Sequence, residues 1–120
     1  MANPFVHIEL MSTDVGKAKA FYGKLFDWKL EDMPMPDMTY TMIGVGEGTG
    51  GGIMKNPMPN APSTWVPYVN VDNLAAATAK AKSLGATVHK ENVAVGEHGA
   101  FTIISDPTGT MLGLWHQKKG

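Results

Sequence analysis

The chain has 120 residues, which suits one domain burying roughly two thirds of its unfolded surface. Its net charge is −1 and its isoelectric point about 6.4, with no basic block, so it carries no electrostatic footprint for nucleic acid. All ten cations are lysine: lacking arginine, the usual bidentate clamp, the chain is poorly equipped for a strongly anionic ligand, and lacking cysteine it has no disulfide, thiolate nucleophile or sulfur metal site.

The start, Met-Ala-Asn-Pro, has neither a cationic nor an apolar leader, and no run is long enough to span a bilayer. The expectation is a cytoplasmic protein without a membrane partner. From Phe5 to Leu10 the residues alternate, with Val6, Ile8 and Leu10 on one face and Phe5, His7 and Glu9 on the other, which is the period of a strand. Thr13 and Asp14 supply capping oxygens, and Val15, Ala18, Tyr22 and Leu25 then form one apolar stripe, predicting a helix over 14–26. Asp27, at its end, is expected to take a left-handed conformation where glycine is usual. Trp28–Glu31 reads as a short strand, Met33–Met38 as a proline-stiffened loop and Thr39–Ile43 as a strand. Gly46, Gly48 and Gly51 spell a formal G-x-G-x-x-G. No helix can follow it before Pro57, so it reads as a turn into a strand over Gly51–Met54 and not as a dinucleotide site.

Lys55–Thr64 holds three prolines and is expected to be an extended linker, stiff enough to disfavour a tight return. The first unit then comes back. A shift of 59 residues carries Val15, Ala18, Tyr22 and Leu25 onto Leu74, Ala77, Ala81 and Leu84, with Trp65–Val71 as the strand before them. The helix is expected over 73–84, with Gly85 near its end. Ala86–His89, Ala100–Ser105 and Met111–His116 read as strands, Val93–Gly99 as a loop, and Asp106-Pro-Thr-Gly109 as a turn. Each half is therefore β-α-β-β-β. Module one covers 4–55, the linker 56–63 and module two 64–117, within a single domain over 1–120.

A repeated βαβββ unit resembles the vicinal oxygen chelate superfamily, which includes glyoxalase I, bleomycin resistance proteins and extradiol dioxygenases. The resemblance rests on His7-Ile-Glu-Leu with Asp14, Ala20-Phe-Tyr22, Leu25-Phe-Asp-Trp28, Gly51-Gly-Ile-Met54, Val71-Asp72, Leu84-Gly85 and Asp106-Pro-Thr-Gly109. It implies an α+β fold in which two βαβββ modules form a curved, mixed eight-stranded sheet around a cleft. It also implies a metal held from the first and last strand of each half. His7 matches one of those four places, while the others fall near Val66, Gly52 and Gly113. A divalent site needs at least three oxygen or nitrogen donors, so no cofactor is expected, and His7 is the metal ligand if there is one.

On that fold, alternation puts Phe5, His7, Glu9, Val66 and Tyr68 on the cavity side. Met54, Met111 and Trp115 join them if Gly52 and Gly113 point inward, with His98 near the mouth. Ile8, Leu112 and Leu114 face the helices as core. His89 and His116 lie near strand ends with no evident partner. Such a groove suits a small apolar or aromatic molecule. The favoured reading is a small-molecule-binding, glyoxalase-like protein with a degenerate metal site. The alternative is a lyase or isomerase of glyoxalase type, with His7 and Glu9 moving a proton. A dioxygenase is disfavoured by the missing ligands. The resemblance further implies a homodimer, with Trp65 and the 33–38 loop as interface material.

Overall fold

A computed structural model describes residues 3–34, 38–58, 60–95 and 97–117. In chain order the elements are β1 (Phe5–Ser12), α1 (Val15–Leu25), β2 (Lys29–Pro34), β3 (Thr39–Gly44), β4 (Gly51–Lys55), β5 (Thr64–Asn70), α2 (Leu74–Ser83), β6 (Thr87–Val95), β7 (Gly99–Ser105) and β8 (Met111–Gln117). The eight strands belong to one mixed sheet, giving an α+β protein with two βαβββ modules. The chain divides into two compact units, His7–Val66 and Met1–Val6 with Pro67–Gly120.

In the first unit β1 pairs in parallel with β4, and β4 and β2 flank β3 in antiparallel fashion. Leu10, Ile43 and Ile53 are buried on the face that α1 covers, against Val15, Ala18, Tyr22, Trp28 and Leu30. Asp14 caps α1 by accepting from the Lys17 amide at 3.0 Å. Lys19 ties the helix to β2 through Asp32 at 2.8 Å, and Thr41 donates to the same carboxylate. The Lys19 bond, then the Thr41 bond, holds the Asp32 carboxyl below its ordinary value.

The last residue of the expected stripe, Leu25, is instead exposed. Asp27 does not take a left-handed conformation either: among the described residues only Asn60 and Asn92 do so without being glycine. Aromatic packing explains both departures. Phe26 caps the helix in an extended conformation, and its ring lies 4.7 Å from that of Trp28, which also stacks on Tyr22 at 5.7 Å. The chain leaves α1 straight into that cluster, so no left-handed turn is needed.

The second unit repeats the plan, with β5 parallel to β8 and β7 antiparallel to both β8 and β6. Leu74, Ile104 and Leu114 are its buried core. Asn73 caps α2, accepting from the Ala76 amide. At the other end Gly85 turns left-handed at φ 100°, its amide bonds to Lys82 O, and the Ala86 amide bonds to Ala81 O. This pairing is a Schellman closure, which needs glycine, and it leaves Leu84 exposed beyond the expected stripe.

Several boundaries differ from the expectation. β2 runs on to Pro34, because Met33 and Pro34 continue the ladder opposite Tyr40 and Thr39. The rest of that loop, 35–37, lies outside the described residues. β6 extends to Val95, through half of the expected 93–99 loop. Register shifts between Val88 and Lys90 and between Lys90 and Val93 break its alternation, and Asn92 sits at φ 50° with its amide on Thr102 Oγ1. A bulged strand reads in sequence as a strand that stops. Ile8 is half-buried and Val6 exposed, so Leu10 alone anchors that face of β1. The proline-rich segment is not an extended path. Asn56 donates its amide to Ser12 O and its side chain to Pro62 O, and Ser63 Oγ accepts from the Thr13 amide. The loop therefore closes on the end of β1. Pro59 within it lies outside the described residues.

Candidate functional site

Side chains two apart on a strand share a face, so β1 presents His7 and Glu9 together. The parallel register sets Glu9 beside Gly52. From β3, Tyr40 reaches across the same face, and its ring fills the space over Gly52 where any Cβ would overlap the phenol. The hydroxyl donates to Glu9 Oε2 at 2.9 Å and lies 2.7 Å from His7 Nε2. A phenol has one proton; with that proton on Glu9, His7 meets the oxygen through Nε2–H. The result is an ordered chain, imidazole to phenol to carboxylate. Glu9 is 7% exposed. A buried carboxylate is tolerable only with such donors around it.

Burial pushes the His7 pKa below 6.5, because the imidazolium would lose its hydration. The neutral ring is therefore the stable form near neutrality, in the tautomer that carries its proton on Nε2. Linkage fixes the sign. Below pH 6.5 the unfolded chain binds a proton that the folded chain refuses, so His7 removes stability as pH falls from 6.5 towards its folded value, and has no effect well above it. Melting temperatures measured from pH 8 to 5 are expected to fall less steeply in His7→Gln than in the wild type. Equal slopes would show that His7 is not held neutral.

The second unit uses a related device. Tyr68 is 3% exposed, and its ring lies over Gly113, its register partner, with the edge of Phe101 at 5.9 Å. Alternation puts Met111 and Trp115 on the Gly113 side of β8, both half-buried, and Phe101 pairs with Trp115 across the ladder. Val66 is fully buried, and Met54, two residues beyond Gly52, is half-buried. Phe5 is 60% exposed, and His98 lies exposed in the turn before β7. The two histidines without an evident partner have one each: His89 Nε2 lies 2.6 Å from Ser105 Oγ, and His116 Nδ1 3.1 Å from Val71 O.

Sequence reasoning missed Tyr40. The available signal was its alternation: Thr41 and Ile43 are the inward residues of β3, so Tyr40 and Met42 had to share the opposite face. What it could not give was the cross-strand reach over a glycine. Among the described residues no three His, Asp or Glu side chains gather as a metal set.

Residues 5–114 match the family model described as the Glyoxalase/Bleomycin resistance protein/Dioxygenase superfamily. The protein named "Putative glyoxylase CFP32" of Mycobacterium bovis is 32% identical over 118 residues, covering 93% of this chain and 45% of its own length; the Mycobacterium tuberculosis protein of that name matches equally. The chain thus spans about half the length of these curated relatives. Among solved structures, a variant of Streptomyces coelicolor methylmalonyl-CoA epimerase in complex with 2-nitronate-propionyl-CoA shares the fold at TM-score 0.74 and 11% identity, covering 99% of this chain and 100% of its own. Hypothetical protein BH1468 of Bacillus halodurans does so at 0.73 and 15%, covering 100% and 98%.

Proposed function

The chain belongs to the glyoxalase/bleomycin resistance protein/dioxygenase superfamily, and from that premise we propose that it binds a small apolar or aromatic molecule at the face carrying His7, Tyr40 and Glu9. The observation that supports this reading is the Tyr40 hydroxyl, held between an imidazole and a buried carboxylate on the strand face that alternation also gives to Met54 and exposed Met42. Methionine walls adapt to an apolar body, while the fixed phenol meets one polar function on it. The lack of arginine weighs against a polyanionic ligand.

A second reading, proton transfer at carbon by a lyase or isomerase, is favoured by the same chain of three groups. A neutral His7 is a competent base, and Tyr40 and Glu9 can carry a proton away from or towards it. The proposal includes a homodimer. Phe21, Leu25, Phe26 and Trp65 are 58, 55, 44 and 36% exposed, large apolar side chains of the kind that subunit interfaces cover.

Thermal-shift screening of phenols and α-oxo compounds, followed by calorimetry, tests the reading. A saturable ligand is expected whose affinity falls about 10- to 100-fold in Tyr40→Phe, the usual scale for a hydrogen bond to an ionic network. Light scattering should return twice 12.9 kDa. Deuterium exchange into a bound α-oxo compound, lost in His7→Ala, would select the second reading. A ligand that binds Tyr40→Phe and the wild type alike would defeat both.

A further inference from the structure

The two helices recur at a fixed offset, but what packs around them differs. In the first unit Tyr22 is surrounded by rings: Phe21 edge-on at 5.0 Å, Trp28 stacked at 5.7 Å and Trp65 edge-on at 5.5 Å. The 59-residue shift carries Phe21, Tyr22, Phe26 and Trp28 onto Lys80, Ala81, Gly85 and Thr87, none of them aromatic. α2 does not close down on the space left by these smaller side chains. An open groove of about 430 Å³ lies beside it, floored by Val69, Val71 and Leu114 and walled by Ala77 and Ala81. Leu84 lines the groove as well and is 68% exposed, so apolar surface is left open there. Val69 and Leu114 are register partners next to Tyr68 and Gly113, so alternation puts the groove on the opposite face of that sheet. It shares no residue with His7, Tyr40 and Glu9.

Lys80 stands exposed at the rim, where the first unit has Phe21, and among the described residues it has no ion-pair partner. The other charge on the lining is Asp72, ahead of the cap Asn73. From that cap to Lys80 the helix rises about 10 Å, roughly one Debye length, so an anion at Lys80 is screened from the Asp72 carboxylate. We infer that this groove is a second ligand site, for a small aromatic monocarboxylate. The ring lies over Ala77 and Ala81, the place that the first unit fills with its own aromatic side chains, and the carboxylate meets Lys80. One lysine is a point charge suited to a single carboxylate, whereas the lack of arginine still weighs against a polyanion. Covering one ring and forming one exposed ion pair gives a dissociation constant of about 1 mM.

The test titrates the full, isotope-labelled chain with phenylacetate and follows its backbone amides by NMR. Saturable shifts are expected at Ala77, Ala81 and Leu84. Phenylacetamide, the same shape without the charge, should bind about 2- to 5-fold more weakly, and Lys80→Gln should weaken phenylacetate by the same factor. Ala81→Tyr restores the residue of the first unit and should weaken binding at least about 10-fold by filling the groove. Circular dichroism checks that it folds, and Lys80→Gln, on the exposed rim, keeps the test decisive if it does not. Tyr40→Phe should leave these shifts unchanged. A ligand insensitive to Tyr40→Phe therefore counts against the first site only when it also binds Ala81→Tyr. No saturable shift at the three amides up to about 10 mM phenylacetate would overturn the groove, as would full binding to a folded Ala81→Tyr. Equal affinity for phenylacetate and phenylacetamide would overturn the pairing with Lys80.

Discussion

Gly51→Ala is expected to cost about 3–4 kcal/mol and to lower the melting temperature by about 10–15 °C, a large share of the roughly 5–15 kcal/mol that holds a domain folded. Gly51 is buried and pairs with Ile8 in the parallel β1–β4 ladder. A Cβ there would overlap the Ile8 carbonyl oxygen, a backbone atom that no rotamer change can move. The two strands would have to separate, straining the bond from the Ile8 amide to Gly50 O at 3.1 Å. They also set Glu9 against Gly52, so the site would be disturbed with the fold. Gly16→Ala is the control. It lies in α1 with nothing nearer its Cβ than Asp14 Oδ1 at 3.7 Å, and alanine there should stabilise by about 0.5–1 kcal/mol. Urea unfolding of both variants settles it, and a Gly51→Ala cost below about 1 kcal/mol would contradict the Ile8–Gly51 register.

Gly113→Ala is expected to cost about 2–3 kcal/mol, for a different reason. Its Cβ would overlap the Tyr68 ring, a side chain that can in principle move. Tyr68 is 3% exposed and packed on Phe101, so it has nowhere to go. Truncating Tyr68 to alanine should itself cost about 3 kcal/mol or more. The double variant should cost roughly 2 kcal/mol less than the two singles together, because the overlap disappears with the ring. Costs that add within about 0.5 kcal/mol would show that the ring does not rest on the glycine. Tyr40 over Gly52 is only half-buried. There the ring can swing out, and substitution should act through lost contacts with His7 and Glu9 more than through stability.

Much of this protein is written in local patterns. The cap at Asp14, the glycine ending α2 and the shared face of His7 and Glu9 are set by neighbouring residues and reappear in the structure; the 59-residue recurrence returns as two βαβββ modules, though its stripes lose Leu25 and Leu84 to solvent. The rejected glycine motif likewise proves to be a turn, with Gly46 and Gly48 at positive φ and a strand following. What the sequence by itself could not decide depends on partners far along the chain. The length of β6 turns on Asn92 finding the Thr102 hydroxyl, the closing of the proline loop on Asn56 reaching back to Ser12, and the straight exit from α1 on Phe26 and Trp28 gathering around Tyr22. The site divides in the same way. His7 and Glu9 lie two apart on one strand, so their shared face follows from the pleat. Tyr40 lies 33 residues from His7 and enters only because β3 pairs with β4, β4 pairs with β1, and Gly52 between them has no side chain to keep the ring out.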